Sequence, residues 1–443
     1  MKLYDSLTSD FKEIDLSKVR IYTCGPTVYD YIHIGNARPL ILTDIIVRYL
    51  ESMEIKYKYL LNITDIDDKI INKALEKKIS EDEYAKKFTK AFLEDIDSLN
   101  IKRPSSVIPI STKINEILSF IYDLVDKDYA YEISGNVYFD ISKWENEYGA
   151  LSNQNIKNLN IGERIEKDEN KKNPQDFILW KKTKVGKKWL SKWGLGRPGW
   201  HTECALLIDD FFKTSIDIHI GGIDLKFPHH ENERIQYMAK NSREISDVWL
   251  HNGHLSLENI KMSKSLKNTI LVRDYVKEYG SNSLRFIFLN SNYKQPLNIT
   301  KELIKHSREW LLKIESMLKT VNWSTKVGEI ILTNNTPIDD DFNSYKYITK
   351  FREILKDDLN TPLAISLIDE MSKSINKQIK TRMLDRTYSK LIDILKILGF
   401  SFNIKNLSDK DIEKIKKWRE MIHKKNFQKA DRLRNELKQE NII

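Results

Sequence analysis

Cysteine is nearly absent from this chain, with Cys24 and Cys204 the only two among 443 residues. That is too few for a disulfide framework, and they stand too far apart to read as a redox pair. Long apolar runs are missing too, and none approaches the roughly 20 residues that cross a bilayer. The opening Met1-Lys2-Leu3-Tyr4-Asp5-Ser6 lacks the basic, apolar and small-residue zones of a secretory leader. A cytoplasmic protein with no membrane partner is therefore expected. Acidic residues are the minority charge, 64 Asp and Glu against 73 Lys and Arg, for a formal net charge of +9. Such a balance suits a polyanionic partner, although a Lys-rich genome gives the same bias. The length allows two or three domains and a large core.

What is present is organised around Tyr22 to Arg38. The apolar run Val19 to Tyr22 reads as a buried strand, and the amphipathic run Ala37 to Leu50 reads as a helix. His33 and Asn36 thus fall where a strand hands over to a helix. Unpaired N–H groups and a partial positive charge at that point favour a triphosphate, and Gly35 lets it approach the backbone. A second strand, Lys56 to Ile63, ends in Thr64-Asp65-Ile66-Asp67-Asp68, whose Thr64 and aspartates are good N-caps for a helix from about Ile66. The alternation predicts an α/β fold with a parallel sheet and ligands at the carboxyl ends of its strands, Thr64 at one end and Cys24 at another.

From Ser80 to Ile133 the pattern reads as helical, with Phe88, Phe92, Ile96 and Leu99 on one face and Ile117, Ile121, Leu124 and Val125 on another. From Asn136 to about Trp200 it turns irregular and Lys-rich, with short strands such as Val137-Tyr138-Phe139. Residues of about 80–200 therefore read as an insertion in a nucleotide-binding fold, too short for a large editing domain. Within it, Gly194-Leu195-Gly196-Arg197-Pro198-Gly199 matches the dinucleotide fingerprint. No strand precedes it and Pro198 breaks the helix start, so it reads as a loop delivering Trp200-His201-Thr202-Glu203-Cys204 to the site.

The second half resumes with a strand, Ile216 to Ile220, then Phe227-Pro228-His229-His230-Glu231-Asn232-Glu233 opening a helix through Ala239, and a strand from Asp247 to His251. Beyond Leu271 the chain reads as almost all helix. Apolar faces fall at Trp310, Leu311, Ile314 and Leu318, at Leu363, Leu367 and Met371, and at Leu391, Ile394, Leu395 and Leu398. A break from Asn322 to Asp341, with Asn334-Asn335-Thr336-Pro337, marks a boundary. The segment Ile412 to Leu437 reads as a basic helix carrying Arg419, Lys424, Lys425, Arg432 and Arg434. A solvated face accounts for it, and an RNA contact is the sharper alternative. The expected division is a catalytic domain over 1–290, a helical bundle over 291–400 and a short basic helical segment over 401–443.

His229 and Glu233 lie four apart on one helix face, where both can meet one cation. Adding Cys24 and Cys204 gives two soft thiolates, an imidazole and a carboxylate, a set that suits four-coordinate zinc. The alternative is two inert buried cysteines beside a structural His and Glu.

His33-Ile34-Gly35-Asn36 and Lys261-Met262-Ser263-Lys264-Ser265 resemble the HIGH and KMSKS motifs of class I aminoacyl-tRNA synthetases. Cys24-Gly25-Pro26-Thr27-Val28-Tyr29-Asp30 is similar to the cysteinyl-tRNA synthetase family in particular, and the likeness extends through Asn173 to Phe177, His251-Asn252-Gly253 and Asp357 to Thr361. The resemblance implies a Rossmann-type catalytic domain with an inserted connective segment, followed by a mostly α-helical tRNA-binding region. It implies activation of L-cysteine by ATP and transfer to the 3′ end of tRNA(Cys), by an expected monomer. One Zn2+ per chain on Cys24, Cys204, His229 and Glu233 would select the substrate thiolate. His33, Gly35 and Asn36 on one side, and Lys261, Ser263 and Lys264 on the other, would hold ATP, with His33, Asn36, Lys261 and Lys264 catalytic. Trp200 would line the cysteine pocket, with Thr64, His219 and Asp224 near the amino acid or ribose. Mg2+ would arrive with ATP, since no carboxylate cluster is dedicated to it.

Three departures from the family pattern stand out. Ile220 and Lys267 occupy positions usually held by glycine, Ile220 where it would tighten the pocket floor, and the chain stops at Ile443, short of a usual acidic, Trp-containing close. Rival readings are a ligase passing cysteine to a small aminoglycoside-type amine and a non-catalytic RNA-binding paralogue. Intact His33, Lys261 and Lys264 count against the second. A zinc hydrolase fails on ligand chemistry, since its zinc keeps an open position among mostly nitrogen and oxygen ligands.

Overall fold

In the structure, a computed structural model, residues 1–154, 171–262, 268–333 and 342–443 are described. An N-terminal hairpin of β1 (Lys2–Asp5) and β2 (Asp10–Glu13) leads into β3 (Val19–Thr23), α1 (Ile34–Ser52) and β4 (Tyr57–Ile63). β3 and the second half of β4 are buried on both faces, as strands of a covered parallel sheet must be. Then come α2 (Asp68–Lys77), capped by Asp67 accepting from the Lys69 N–H, and α3 (Glu81–Ser98), capped by Ser80 with three acidic residues in its first turn. The chain continues through β5 (Ser106–Pro109) and α4 (Ile114–Asp126).

A second sheet follows, made of β6 (Ala130–Ile133), β7 (Asn136–Phe139), β8 (Phe177–Lys182), β9 (Trp189–Ser191) and β10 (Gly194–Pro198). All its pairings are antiparallel, in the order β6-β7-β8-β10-β9. The chain returns through α5 (Thr202–Phe212), β11 (Ile216–Gly222), α6 (Glu231–Asn241) and β12 (Ser246–Asn252). The main sheet is all parallel, in the order β12-β11-β3-β4-β5.

Two sequence expectations change here. The helical reading of Ser80 to Ile133 misses β5, the edge strand paired with β4, because its four residues are all half-buried and show no alternation, and it runs on over β6, which pairs with β7 at the edge of the second sheet. The segment Gly194 to Pro198 is a strand and not a loop. A Cβ on Gly196 would stand 2.4 Å from Trp180 Nε1 and 2.6 Å from the Lys181 carbonyl oxygen. Its glycine is there for close approach within a sheet, not for a phosphate turn.

The chain divides into two compact units, Met1–Val276 with Tyr293–Asn298, and Lys277–Asn292 with Ile299–Ile443. The second is helical, built on α8 (Ser281–Leu289), α9 (Lys301–Lys326), α10 (Phe342–Lys356), α11 (Thr361–Thr381) and α12 (Thr387–Ile397), after α7 (Val272–Tyr279), in which the division falls. Trp310, Ile314, Leu318, Leu367, Met371, Leu391, Ile394, Leu395 and Leu398 are buried as the apolar stripes predict. Leu363 is not, at 46% exposed, because it sits in the first turn of α11, capped by Asn360, and Ala364 takes the inward position. Asn322 belongs to α9, so no break begins there, and Asn334 to Asp341 lie outside the described residues.

The basic C-terminal segment is two helices, α13 (Asp409–His423) and α14 (Phe427–Gln439). Lys425 adopts φ 57° and Asn426 caps α14, so the turn carries no glycine or proline to announce it. Trp323, Leu407, Ile415, Trp418, Ala430 and Leu437 form a small core there. Arg419 pairs with Glu329 at 2.5 Å and Lys424 with Glu420 at 2.5 Å, so part of the basic face is occupied within the chain. Among the described residues, no helix is long and apolar enough to cross a membrane.

Candidate active site

The order β12-β11-β3-β4-β5 places a topological switch point between β3 and β11, since the chain leaving β3 turns to β4 on one side and the chain leaving β11 turns to β12 on the other. Ligands of open parallel sheets bind at the carboxyl ends of such strands. Here a cavity of about 370 Å³ opens at that point, lined by Cys24, His33, Asn36, Trp200, Asp224 and Lys261 among others.

His33 is the N-cap of α1, with φ −99° and ψ 166°. The helix starts earlier than its apolar periodicity indicates, because the Asn36 side chain accepts from the His33 N–H at 3.1 Å and closes the first turn. The backbone of this turn is clamped: Ile34 N donates to Ile270 O at 3.0 Å, and Val272 N donates to Ile32 O at 3.0 Å. The chain following the Lys261 motif therefore runs antiparallel against the His33 segment. Lys261 ends a short hairpin of β13 (Leu255–Leu257) and β14 (Ile260–Lys261). A Cβ on Gly35 would lie 2.8 Å from Met262 Cε and 2.9 Å from the His33 ring, so Gly35 is what lets the two motifs touch. Ser263, Lys264 and Lys267 lie outside the described residues.

Behind this cavity, Cys24 leaves β3, Cys204 sits in the first turn of α5, His229 lies in the turn just before α6, and Glu233 lies in the first turn of α6. Their ligand atoms all fall within 4.8 Å of one another. His229 Nε2 stands 2.7 Å from Glu233 Oε1 and 3.6 Å from Cys204 Sγ, and Cys24 Sγ stands 3.7 Å from the same Glu233 oxygen. A second set, Cys24, His219, His230 and Glu233, shares two of these donors. His219 Nε2 reaches the other Glu233 oxygen at 2.8 Å, while His230 Nδ1 is engaged with His251 Nε2 at 2.8 Å.

The charges of this buried cluster are coupled. Burial would push the Glu233 carboxyl up, but His229 and His219 hold it well below the carboxylate range. Burial would lower His229, but the Glu233 carboxylate and Cys204 carry it up to about 10. Burial raises the Cys24 thiol well above its usual value, with Cys204 and Glu233 adding to the rise. Cys204 goes the other way: burial opposes ionisation, yet Cys24 and His229 bring the thiol below its ordinary value. Two sulfurs, an imidazole nitrogen and a carboxylate oxygen thus converge in one buried cluster. That is the chemistry of a site for a thiophilic dication, and the two-thiol set meets zinc's preferences better than the set with one.

The residues expected to line the cysteine pocket divide into two groups. Trp200 is on the cavity wall, its ring stacked on His229 at 4.1 Å, and Asp224 lines the same cavity. Thr64 and His219 lie behind it, 1% and 0% exposed. The Thr64 hydroxyl donates to Glu203 at 2.6 Å, and His219 stacks on Trp249 at 4.2 Å. Ile220 is buried in β11, and strand alternation sends its side chain to the face opposite His219. It therefore does not tighten the pocket floor; Gly221, on the His219 face, has His230 where a Cβ would go, at 2.4 Å.

Sequence reasoning gave no role to Asn62, His201, Glu203, His230 or His251. His201 Nδ1 meets His229 Nδ1 at 3.0 Å, and burial together with the His229 charge lowers its pKa to about 3. Three of these are histidines that stand beside or within stretches already singled out, His201 next to Trp200, His230 next to His229 and His251 opening His251-Asn252-Gly253, a local signal that would have drawn attention to them.

The chain matches the family of tRNA synthetases class I (C) catalytic domains over residues 10–309 and the DALR domain over residues 350–403. It is 51% identical over 450 residues to the Cysteine--tRNA ligase of Mycoplasma mycoides subsp. mycoides SC, covering 100% of both proteins. To the Cysteine--tRNA ligase of Staphylococcus aureus (strain JH9) it is 40% identical over 454 residues, covering 100% of this chain and 97% of that protein. Among solved structures, its fold resembles Mycobacterium tuberculosis methionyl-tRNA synthetase in complex with methionyl-adenylate, with a TM-score of 0.59 at 12% identity over 86% of this chain and 89% of that one.

Proposed function

Because the chain belongs to the cysteine--tRNA ligase family of class I tRNA synthetases, we propose a division of that ligase's work among its residues. The observation that carries the proposal is the adjacency of two sites at one switch point: the cavity bearing His33, Asn36 and Lys261, and the buried Cys24, Cys204, His229 and Glu233 set whose Cys24 lines that cavity. Activation requires the cysteine carboxylate to attack the α-phosphate of ATP with loss of pyrophosphate, so catalysis is positioning and charge stabilisation. The N-terminus of α1, with His33, Gly35 and Asn36, holds the phosphates from one side. Lys261 faces them from the cavity wall, and Ser263 and Lys264 of the same motif are assigned to the phosphates with it, with Mg2+ carried by ATP.

Cys24, Cys204, His229 and Glu233 would hold one zinc ion. The chemistry such an ion would supply there is a soft Lewis acid that lowers a thiol's pKa, which would distinguish cysteine from serine better than a shape-based pocket does. His219 fixes Glu233 by its second oxygen, and His201 does the same for the His229 ring, as outer partners of metal ligands do. Trp200 and Asp224 border the amino acid and ribose, with Thr64 behind them. The activated cysteine passes to the 3′ end of tRNA(Cys), whose body is taken by the helical region beyond residue 290. The DALR match supports that role against transfer to a small amine. We place the enzyme in the cytoplasm and read it as a monomer.

The testing experiment is a paired assay on one preparation: cysteine-dependent exchange of pyrophosphate into ATP, then charging of tRNA(Cys). Both activities are expected. Exchange without charging would favour the small-amine ligase, and the absence of both activities would overturn the proposal. Within it, Lys264→Ala is expected to lower exchange by about 10²-fold while zinc content stays stoichiometric. An unchanged exchange rate would remove Lys264 from the phosphate clamp.

A further inference from the structure

A buried chain of hydrogen bonds joins the two segments that carry the thiols. The Gly25 N–H, next to Cys24, donates to Asn62 Oδ1 at 2.7 Å, and the Tyr22 hydroxyl donates to the same oxygen at 2.9 Å. Asn62 Nδ2 donates to Thr64 Oγ1 at 3.2 Å, and the Thr64 hydroxyl donates to Glu203 Oε2 at 2.6 Å. Glu203 precedes Cys204. Asn62, Thr64 and Glu203 are each at most 2% exposed.

The polarity of this chain follows from one group. A backbone N–H can only donate, so Gly25 fixes Asn62 with its oxygen toward Cys24 and its amide toward Thr64. Thr64 therefore accepts from Asn62, and its single proton goes to Glu203. The backbone reinforces the first half: Thr64 N donates to Pro26 O at 3.2 Å and Val28 N to Thr64 O at 3.1 Å, which ties the end of β4 to the Cys24 loop. The Thr64–Glu203 bond is the polar link that extends this tie to the first turn of α5. A buried chain of this kind is rigid only when each member is satisfied.

We propose that Asn62, Thr64 and Glu203 form a strut across the end of β4 that sets the separation of Cys24 and Cys204, with Thr64 and Glu203 as positioning residues for the metal site. The inference rests on the zinc reading above and adds to it residues that touch no ligand atom. The strut acts before substrate arrives, so it is tested on substrate-free enzyme. Zinc affinity is read by competition with a chelator, and thiolate geometry by the sulfur-to-cobalt absorption of the Co2+-substituted protein.

Thr64→Val keeps the shape and removes the hydroxyl; Thr64→Ser keeps the hydroxyl; Glu203→Gln keeps an acceptor. Thr64→Val is expected to weaken zinc binding about 10- to 100-fold and to change the cobalt band. Thr64→Ser and Glu203→Gln are expected to stay close to the parent. Should Thr64→Val fail to fold, Glu203→Ala cuts the same bond from the other side with the same expectation. Parent-like zinc affinity and an unchanged cobalt spectrum in Thr64→Val, whatever its thermal stability, would overturn the strut and leave the zinc reading intact. A parent enzyme that holds no stoichiometric zinc would overturn both.

Discussion

A Cys204→Ala enzyme is expected to fold, to lose stoichiometric zinc, and to lose cysteine-dependent pyrophosphate exchange with it. Folding is expected because Cys204 is a small buried residue flanked on α5 by Ala205, Leu206, Leu207 and Ile208, all buried, so the helix keeps its apolar face. The remaining charges also stay compensated, since Glu233 is held by His229 at 2.7 Å and by His219 at 2.8 Å without help from sulfur. No other thiol can replace the lost one, because the chain has only Cys24 besides. The thiol removed is the one its surroundings favour as thiolate. With one soft donor of two gone, zinc binding should fall by more than the roughly 10- to 100-fold typical of removing an outer partner. Zinc content by elemental analysis and the exchange rate should collapse together, while the unfolding midpoint should match that of the zinc-stripped parent. A metal-free variant with parental exchange would refute the role of zinc in selecting the substrate.

Much of this architecture is legible in the sequence, for reasons that also mark where it stops. β3, α1, β4 and β11 are read from uninterrupted apolar runs and helical periodicity, which are local signals. The four proposed ligands are legible because only two thiols exist and because His229 and Glu233 share a helix face. β5 escapes because four half-buried residues carry no period. β10 escapes because the reason for its glycine, the approach of Trp180, lies on another strand. The turn at Lys425 escapes because a lysine at positive φ bears no mark in the sequence. Thr64 reads locally as a helix cap, yet Asp67 caps α2, and the hydroxyl of Thr64 finds Glu203 139 residues away. Polar networks of this kind are fixed by the fold, so the residues that support a site stay hidden where the residues that form it do not.

Gly25→Ala is expected to be more damaging than its size suggests, and to reach the metal site from outside it. An added Cβ would stand 1.7 Å from the Asn62 carbonyl oxygen and 2.8 Å from its carbon, both backbone atoms. A flexible side chain can retreat from such a clash, but Asn62 is held on both flanks. Its neighbour Leu61 pairs with Thr23 of β3, and Asn62 itself pairs with Ile108 of β5. Relief therefore requires the Cys24 loop to lift off β4, which breaks the 2.7 Å bond from the Gly25 N–H to Asn62 and carries the Cys24 thiol away from Glu233. Overpacking against side chains costs about 1–3 kcal/mol, and the loss of a buried hydrogen bond adds about 1–3 kcal/mol, so a loss of roughly 3 kcal/mol or more is expected in urea unfolding. Gly194→Ala is the control: φ is +101° there and nothing lies within 4 Å of its Cβ, so only the backbone term remains, about 1 kcal/mol. Zinc should be lost from the first variant and retained in the second. Equal small losses in both, with zinc kept, would mean that the Cys24 loop moves freely over β4 and that the thiol's position is set elsewhere.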